Sequence, residues 1–243
     1  MRKPVILIAA LSASALALAA CDRTSDDAFG ERVRAYLLEN PEVIEEAVQK
    51  LGEKREAEAA KAAASALSEY RQALEQDPRD FVANPNGSIT VTEFFDYRCG
   101  YCKLVAPEIT KLIEENPDVR VVFKEFPIFG EQSDTTAAIM LTDLVKPKTL
   151  ELHDRLMAEK SLNDAAIDRH LRELGIDPAA ARRAAEAPAI QKQLEDTHEL
   201  AAALGINGTP AFIIGDRIIA GADMSAVRSA ITAQRAAKLE PAA

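Results

Sequence analysis

The stretch EFFDYRCGYCKLVAPEITKLI, residues 93–113, changes from strand-like to helix-like character within a few positions. Its start completes a run of β-branched and aromatic side chains at 89–95, which predicts a buried strand. From residue 104 onward the apolar side chains recur at the spacing of a helix. Cys99 and Cys102 lie where the two patterns meet, as a Cys-x-x-Cys motif at the start of the predicted helix.

The sequence after this helix predicts a small sheet. VRVVFKEFPI at 119–128 is a second strand-like run, and the order strand, cysteine-bearing helix, strand is that of a βαβ unit with two parallel strands. Residues 133–204 have helical character, and INGTPAFIIGDRIIAG at 206–221 predicts a β-hairpin with its turn at Gly215-Asp216. With a last helix at 224–237, the pattern predicts an α/β fold with a sheet covered by helices.

The cysteine pair is suited to redox chemistry. A Cys-x-x-Cys motif in a βαβ context is typical of thioredoxin-like proteins. A disulfide across two residues closes a very small loop and stabilises little, so the pair is better placed to be made and broken than to staple the chain. The alternative, half of a zinc site, needs two more nitrogen or sulfur ligands, and no two of the three histidines are paired at ligand spacing.

The first residues predict export from the cytosol. Residues 1–20 place Arg2 and Lys3 before an apolar stretch that ends in small residues, which is the layout of a secretory signal. Residues 18–21, Leu-Ala-Ala-Cys, resemble the lipobox of bacterial lipoproteins, which implies lipid attachment at Cys21. Residues 17–19 also fit an ordinary signal-peptidase site, which would release a soluble protein. Either route leads to an oxidising compartment, where disulfides persist.

The composition is that of an ordinary folded protein, with 48% hydrophobic and 28% charged residues. The formal net charge is −10 at pH 7. Such an acidic balance argues against nucleic acid as the main partner, because binding to phosphates requires a basic face.

Residues 21–80 are rich in Ala, Glu, Lys, Arg and Gln, and predict a short helix at 29–39 and a long one at 41–76. Asn40-Pro41-Glu42 is typical of a helix start and predicts Asn40 as the N-cap of the long helix. Apolar residues of the long helix follow four- and three-residue spacings, at Ile44, Val48, Leu51, Ala63, Leu67, Tyr70 and Leu74. Such a stripe needs a partner surface. Either the helix folds back on its own globular domain, or it is an oligomerisation stalk; its length and its charged outer faces favour the stalk.

Two motifs carry a resemblance to a known family. EFFDYRCGYC at 93–102, followed by GTPAF at 208–212, resembles the DsbA/DsbC group of bacterial periplasmic thiol-disulfide oxidoreductases. The resemblance covers 81–239 and implies a thioredoxin fold with an inserted helical domain at about 133–204, preceded by an N-terminal helical extension. VRAYLLENPEVIEEAVQKL, residues 33–51, resembles the helical extension of a subgroup with the trimeric, copper-resistance-linked ScsC proteins and the Com1-like antigens. The implied organisation is a signal peptide at 1–20, a helical stalk at 21–80 and the DsbA-like domain.

Five residues receive catalytic roles. Cys99, at the helix N-terminus, is expected to be the attacking sulfur, since the helix dipole and nearby N–H groups favour a thiolate. Cys102, one turn further on, is expected to be more buried and to resolve the mixed disulfide. The resemblance implies that Glu93 is a buried acid that exchanges a proton with Cys102. It also implies that Thr209 and a cis-Pro210 lie against the cysteines and pair with the substrate backbone.

The dipeptide Gly100-Tyr101 bears on the direction of the reaction. The strongest oxidants of the family carry a histidine between the cysteines, and Tyr101 cannot supply its positive charge, so a less oxidising couple is expected. Cys-Gly-Tyr-Cys with a threonine before the proline resembles the isomerase DsbC more than the oxidase DsbA. The expected activity is thus exchange with cysteine-containing exported proteins, as isomerase or reductase rather than oxidase, with no metal or organic cofactor.

The resemblance also implies partners and a location. The cysteine pair must be reset after each reaction, which implies a membrane redox partner of the DsbB or DsbD type. The protein is expected in the periplasm, anchored through a lipid on Cys21, and associated with further copies through its N-terminal helices. Two alternatives remain open: a DsbA-like primary oxidase, and a non-catalytic stalked surface lipoprotein in which Cys99 is inert.

Overall fold

The computed structural model describes residues 28–239. The predicted signal peptide at 1–20 and the predicted lipid attachment site Cys21 lie outside the described residues. Contacts divide the chain after Ala60 into two compact units, so residues 28–60 and 61–239 are described separately. Within the described part, no helix combines the length and the apolar character needed to cross a membrane.

The first unit is helical. Residues 28–39 form α1, and α2 runs from Glu42 to Glu69, across the boundary between the units. The side chain of Asn40 donates a hydrogen bond to the carbonyl of Tyr36 at 2.9 Å, so it closes the end of α1 instead of capping the start of α2 as predicted. In this unit the first part of the apolar stripe is exposed, at Ile44, Val48 and Leu51.

The second unit contains a five-stranded sheet in the order β1-β3-β2-β4-β5. β2 is parallel to β3, and the other neighbours are antiparallel. The strands are β1 Phe81–Ala83, β2 Ile89–Phe95, β3 Val119–Glu125, β4 Ala211–Ile214 and β5 Arg217–Ala220. The predicted βαβ unit and hairpin are therefore confirmed. Strand β1 was not predicted, because three residues are too few to show an alternating pattern.

Helices surround the sheet and fill the segment between β3 and β4. The helices of this unit that follow α2 are α3 Arg71–Glu75, α4 Gly100–Glu115, α5 Glu131–Met140, α6 Thr149–Ala158, α7 Asp164–Glu173, α8 Pro178–Ala185, α9 Pro188–Ala203 and α10 Met224–Leu239, with a 3₁₀ turn at Lys146–Lys148. Helices α5 to α9 form the predicted insertion, so the thioredoxin-type fold with an inserted helical domain is confirmed.

Alternation along the strands separates two cores. One face of the sheet presents Phe95 and Val121 to a core that includes Cys102 and Ile109 of α4. The cysteine helix therefore lies on the face that Phe95 lines, and Glu93, two residues earlier on β2, belongs to the same face.

The opposite face of the sheet packs against the end of α2 and against α3. Leu67 and Leu74 are fully buried there, in a cluster that includes Phe94 of β2. The last part of the apolar stripe is therefore buried in the core of the second unit, whereas its first part is exposed in the first unit.

Candidate active site

Cys99 is the N-cap residue of α4 and has an extended backbone, with φ −69° and ψ 118°. Its Sγ atom accepts a hydrogen bond from the backbone N–H of Cys102 at 3.4 Å. The turn is closed by a bond from the Cys99 N–H to the carbonyl of Asp96 at 3.1 Å. The positive end of the helix dipole and an N–H group thus point at the Cys99 sulfur, an arrangement that stabilises a thiolate.

Cys102 lies deeper than Cys99. Cys99 is 3% exposed and Cys102 is 0% exposed, and both are thiols. Burial raises the pKa of the Cys102 thiol strongly, and the nearby Glu93 carboxylate adds to the shift. Cys102 is therefore held as a neutral thiol and needs a base before it can attack a disulfide.

The Thr209–Pro210 segment lies against the cysteines. The peptide bond between Thr209 and Pro210 is cis. The Sγ atom of Cys99 lies 3.3 Å from the carbonyl oxygen of Thr209 and donates to it as a thiol. Residues that are 110 positions apart along the chain are therefore in direct contact. The Oγ1 atom of Thr209 is buried and has no hydrogen-bond partner among the described residues.

Glu93 is buried on the side of the sheet that α4 covers. Desolvation by the surrounding apolar side chains raises the pKa of its carboxyl to about 8. Its Oε2 atom accepts no hydrogen bond from any described residue. A carboxyl with such a pKa can take up and release a proton near neutral pH, and its charge is felt by Cys102.

Asp96 was not singled out from the sequence, although it holds the cysteine loop in place. Its buried carboxylate accepts hydrogen bonds from the backbone N–H of Arg98 at 2.6 Å, from that of Ile128 at 2.7 Å and from the hydroxyl of Ser133 at 2.8 Å. These bonds join the loop before Cys99 to the loop after β3. The sequence signal that could have identified Asp96 is a charged residue directly after an apolar strand and just before the Cys-x-x-Cys motif.

The surface around the cysteines is partly apolar. Tyr101 of the intervening dipeptide is 67% exposed, and Leu104, one turn further along α4, is equally exposed. Phe129 is also exposed, and its carbonyl accepts a hydrogen bond from the side chain of Arg98, next to Cys99. Exposed apolar side chains of this kind mark a surface that contacts other proteins.

The structure brings together all five predicted catalytic residues. Within residues 28–239, no three His, Cys, Asp or Glu side chains are grouped so that they could hold a metal ion. The arrangement combines a thiol at a helix N-terminus, a second thiol beneath it and a buried acid with a raised pKa. Chemically, such a set can form and break a disulfide while it stores one proton.

Family models match both units of the chain. A thioredoxin family model matches residues 75–233. The model of the N-terminal domain of the copper resistance protein ScsC matches residues 27–59.

Individual proteins show the same similarity. The thiol:disulfide interchange protein DsbA of Bordetella pertussis is 29% identical over 153 residues, which are 56% of this chain and 70% of the relative. A solved thioredoxin-like oxidoreductase from Silicibacter pomeroyi is 36% identical with a TM-score of 0.65, over 68% of this chain and 98% of that one. A linker-deletion mutant of ScsC from Proteus mirabilis is 29% identical with a TM-score of 0.65, over 96% of this chain and 99% of that one.

Proposed function

This chain belongs to the thioredoxin family and is a thiol-disulfide oxidoreductase of the DsbA and ScsC type, and from this premise we propose that it exchanges disulfides with exported proteins through Cys99 and Cys102. One observation carries the proposal. The Cys99 sulfur sits at the N-terminus of α4, between the N–H of Cys102 and the carbonyl of Thr209. A nucleophilic sulfur and a backbone edge for the substrate are thus adjacent.

The reaction proceeds in two exchanges. The Cys99 thiolate attacks a substrate disulfide, forms a mixed disulfide and releases one substrate sulfur as a thiolate. Cys102 then gives its proton to Glu93 and attacks the Cys99 sulfur, which forms the Cys99–Cys102 disulfide and releases the second substrate sulfur. The substrate gains two electrons and the protein loses two, and the reverse sequence oxidises a substrate. Thr209 and Pro210 hold the substrate backbone beside Cys99 during both steps.

Isomerase or reductase activity is proposed in preference to primary oxidation. Tyr101 places no cation beside Cys99, so the reduced form lacks the stabilisation that makes a couple strongly oxidising. The exposed Tyr101, Leu104 and Phe129 offer apolar contact to misfolded substrates. The protein is proposed to act in the periplasm, held by a lipid on Cys21, and to be reset by a membrane partner of the DsbB or DsbD type.

The variant Tyr101→His should make the couple more oxidising. An imidazolium beside Cys99 would stabilise the thiolate and hence the reduced form, and one tenfold change in the exchange equilibrium is about 30 mV. We expect the reduction potential, measured in glutathione buffers, to rise by about 30 mV or more. Tyr101→Phe keeps the ring without a charge and should leave the potential nearly unchanged. Equal potentials for both variants would contradict a role for position 101 in setting the potential.

Association of several copies is proposed through α1 and the first part of α2. Ile44, Val48 and Leu51 lie along one side of α2 and are exposed in the single chain. An exposed stripe of this kind is stabilised when it is buried against another copy. The match of residues 27–59 to the ScsC N-terminal domain supports the same assignment. In an oligomer, several catalytic units would act on one misfolded substrate.

The isomerase proposal predicts that Val48→Asp loses isomerase activity but keeps the ability to oxidise a reduced protein. A charge in the stripe should dissociate the oligomer, as measured by sedimentation, and should remove reactivation of a scrambled-disulfide protein. Oxidation of a reduced protein, which needs only one Cys99–Cys102 pair, should persist. Ala57→Asp is the matched control, because it places the same residue on the opposite, exposed side of α2.

Other results would select one of the alternatives. If the unmodified chain oxidises reduced protein but never reactivates scrambled protein, it is a DsbA-like oxidase. If its Cys99 reacts with neither substrate, the non-catalytic stalked lipoprotein is the better description.

A further inference from the structure

Three polar side chains that the mechanism above does not use are buried together. Tyr97, Glu125 and His153 are 1%, 7% and 5% exposed. The Tyr97 hydroxyl donates to Oε1 of Glu125 at 3.2 Å and lies 3.1 Å from Nδ1 of His153. Desolvation raises the pKa of the Glu125 carboxyl well above its usual range and lowers that of His153 to about 3. Burial thus favours the neutral form of all three groups.

This chain of groups, here called the Tyr97–Glu125–His153 chain, begins close to Glu93. In the sheet Glu93 of β2 is paired with Phe123 of β3, so Glu125 follows two residues later on the neighbouring strand and on the same face. From the strand spacing and rise, the two Cα atoms are about 8 Å apart. The charge of Glu93 also affects the pKa of Glu125 and of Tyr97. Glu93 and Glu125 are thus diagonal neighbours on the face of the sheet that α4 covers.

The Tyr97–Glu125–His153 chain is also next to water. A cavity of about 300 Å³, open to solvent, is lined by Tyr97, Glu125 and His153 together with Thr149. A cavity of this size holds several water molecules. Glu93 is not among the residues that line it. The cavity therefore connects solvent with all three groups and not with the catalytic acid.

We propose that Glu125, Tyr97 and His153 carry the proton that Cys102 gives to Glu93 out to the cavity water, and so set how fast the resolving step proceeds. This inference rests on the proposed function. The three are positioning residues that act through Glu93 and do not touch the substrate.

Only protons move along this path, and no electrons are exchanged. Cys102 loses a proton to the Glu93 carboxylate and becomes the attacking thiolate. Glu93 then passes the proton to Oε2 of Glu125, which has no hydrogen-bond partner among the described residues. For the next step the Tyr97 hydroxyl turns from Oε1 of Glu125 to Nδ1 of His153. The proton that neutral Glu125 carries on Oε1 moves to the Tyr97 oxygen, Tyr97 gives its own proton to Nδ1 of His153, and Nε2 of His153 releases one to water. Each group ends with its starting charge.

Other ionisable groups surround the chain. Asp80 and Asp96 face Glu125, and Asp154 faces Tyr97. Asp80 forms a buried ion pair with Lys124, and the carboxylate of Asp96 accepts the backbone N–H groups of Arg98 and Ile128. Asp80 and Asp96 are thus engaged elsewhere, which leaves Glu125 as the group in a position to accept a proton from Glu93.

Ellman's reagent separates the two thiol steps in the full chain carrying Cys21→Ser. Attack by Cys99 releases one nitrothiobenzoate at a rate proportional to the reagent concentration. Attack by Cys102 on the resulting mixed disulfide releases a second nitrothiobenzoate, at a rate that does not depend on the reagent concentration. Glu125→Gln should slow the second phase at pH 7 by about tenfold or more and leave the first unchanged. Tyr97→Phe should act in the same direction.

Three readouts distinguish proton transfer from a structural role. For Glu125→Gln we expect a shifted pH profile of the second phase, a larger effect of D₂O on that phase, and partial restoration by added imidazole, which is small enough to enter the cavity. Thr149→Val is the matched control, because it changes a hydroxyl on the same cavity whose hydrogen bonds go to backbone carbonyls. It should leave the second phase unchanged.

The outcomes separate this inference from the proposed function. If the parent chain shows no second phase, the proposed exchange chemistry fails. If the parent shows it but Glu125→Gln and Tyr97→Phe leave its rate and pH profile intact, the proton path is wrong. A slowed second phase that neither imidazole nor D₂O alters would also overturn the proton path, because it would indicate that the substitution disturbs packing instead of proton transfer. If Glu125→Gln does not fold, the same readouts on Tyr97→Phe decide.

Discussion

Cys99→Ser should abolish exchange with protein disulfides, while Cys102→Ser should retain the first attack and stop at the mixed disulfide. Only Cys99 has its sulfur at the N-terminus of α4, where a thiolate is stabilised, and a serine hydroxyl cannot replace a thiolate in sulfur exchange. We expect Cys99→Ser to reduce disulfide exchange to the uncatalysed rate. Cys102→Ser should accumulate a covalent adduct with a substrate protein, visible by intact mass spectrometry and released by dithiothreitol.

Cys21→Ser is the control for this pair of variants, because it removes the third cysteine of the chain. It should leave the exchange rate unchanged. An active Cys99→Ser, or a trapped adduct on Cys102 in that variant, would reverse the roles assigned to the two sulfurs.

Glu93→Gln should change how stability depends on pH. The pKa of Glu93 is about 8 in the folded protein, against about 4.3 in an unfolded chain. Between these pKa values the folded state binds a proton that the unfolded state has lost. The stabilisation that this proton gives is therefore fully present below about pH 4.3 and is lost as the pH rises through about 8. The loss across this window is of order 3–5 kcal/mol. Glutamine does not titrate, so the variant should lack this part of the decline.

Urea unfolding at pH 5 and pH 8, with both cysteines reduced, measures this effect. The difference in the free energy of unfolding between wild type and Glu93→Gln should shift in favour of the variant by several kcal/mol at the higher pH. The buried carboxyls of Glu125 and Asp80 also lower the free energy of unfolding as the pH rises. They do so in both proteins, so their contributions cancel in the difference. Glu69→Gln, at an exposed position, should show no such shift. A pH-independent difference for Glu93→Gln would mean that Glu93 is ionised in the folded protein.

The same substitution should slow resolution. Cys102 is a buried thiol with a raised pKa, and Glu93 is the base proposed to deprotonate it. Loss of a positioned base costs roughly 10²-fold or more in a proton-transfer step. The concentration-independent phase with Ellman's reagent should fall by that factor in Glu93→Gln, with the Cys99 phase intact. Unlike Glu125→Gln, this variant loses the primary acceptor, so added imidazole should not restore it if imidazole reaches only the cavity.

The sequence by itself determined the elements that depend on near neighbours. The strand at 89–95, the helix that starts beside Cys99 and the hairpin around Gly215-Asp216 follow from side-chain spacing and turn residues within a few positions, and all are present. The resemblance carried by the cysteine motif and by GTPAF added the family and the inserted helical domain, and both are confirmed. The roles of the individual site residues stay predictions.

Tertiary structure decided what depends on distant parts of the chain. Strand β1 exists because it pairs with β3, and three residues show no pattern of their own. The anchoring role of Asp96 requires a loop more than thirty residues away. Along α2 and α3 the same apolar spacing leads to exposed Val48 and buried Leu74, because burial depends on whether the rest of the fold covers a side chain.

The proton chemistry of the site was decided in the same way. In the sequence, Glu93 and Glu125 are two acids in strand-like runs, and only the family resemblance distinguishes Glu93 from a solvated acid. In the fold, α4 and the inserted helices cover the sheet above them and remove water, and desolvation raises the pKa of both carboxyls. Local sequence therefore placed the sulfur atoms at a helix start, whereas long-range packing set the dielectric surroundings in which they exchange protons.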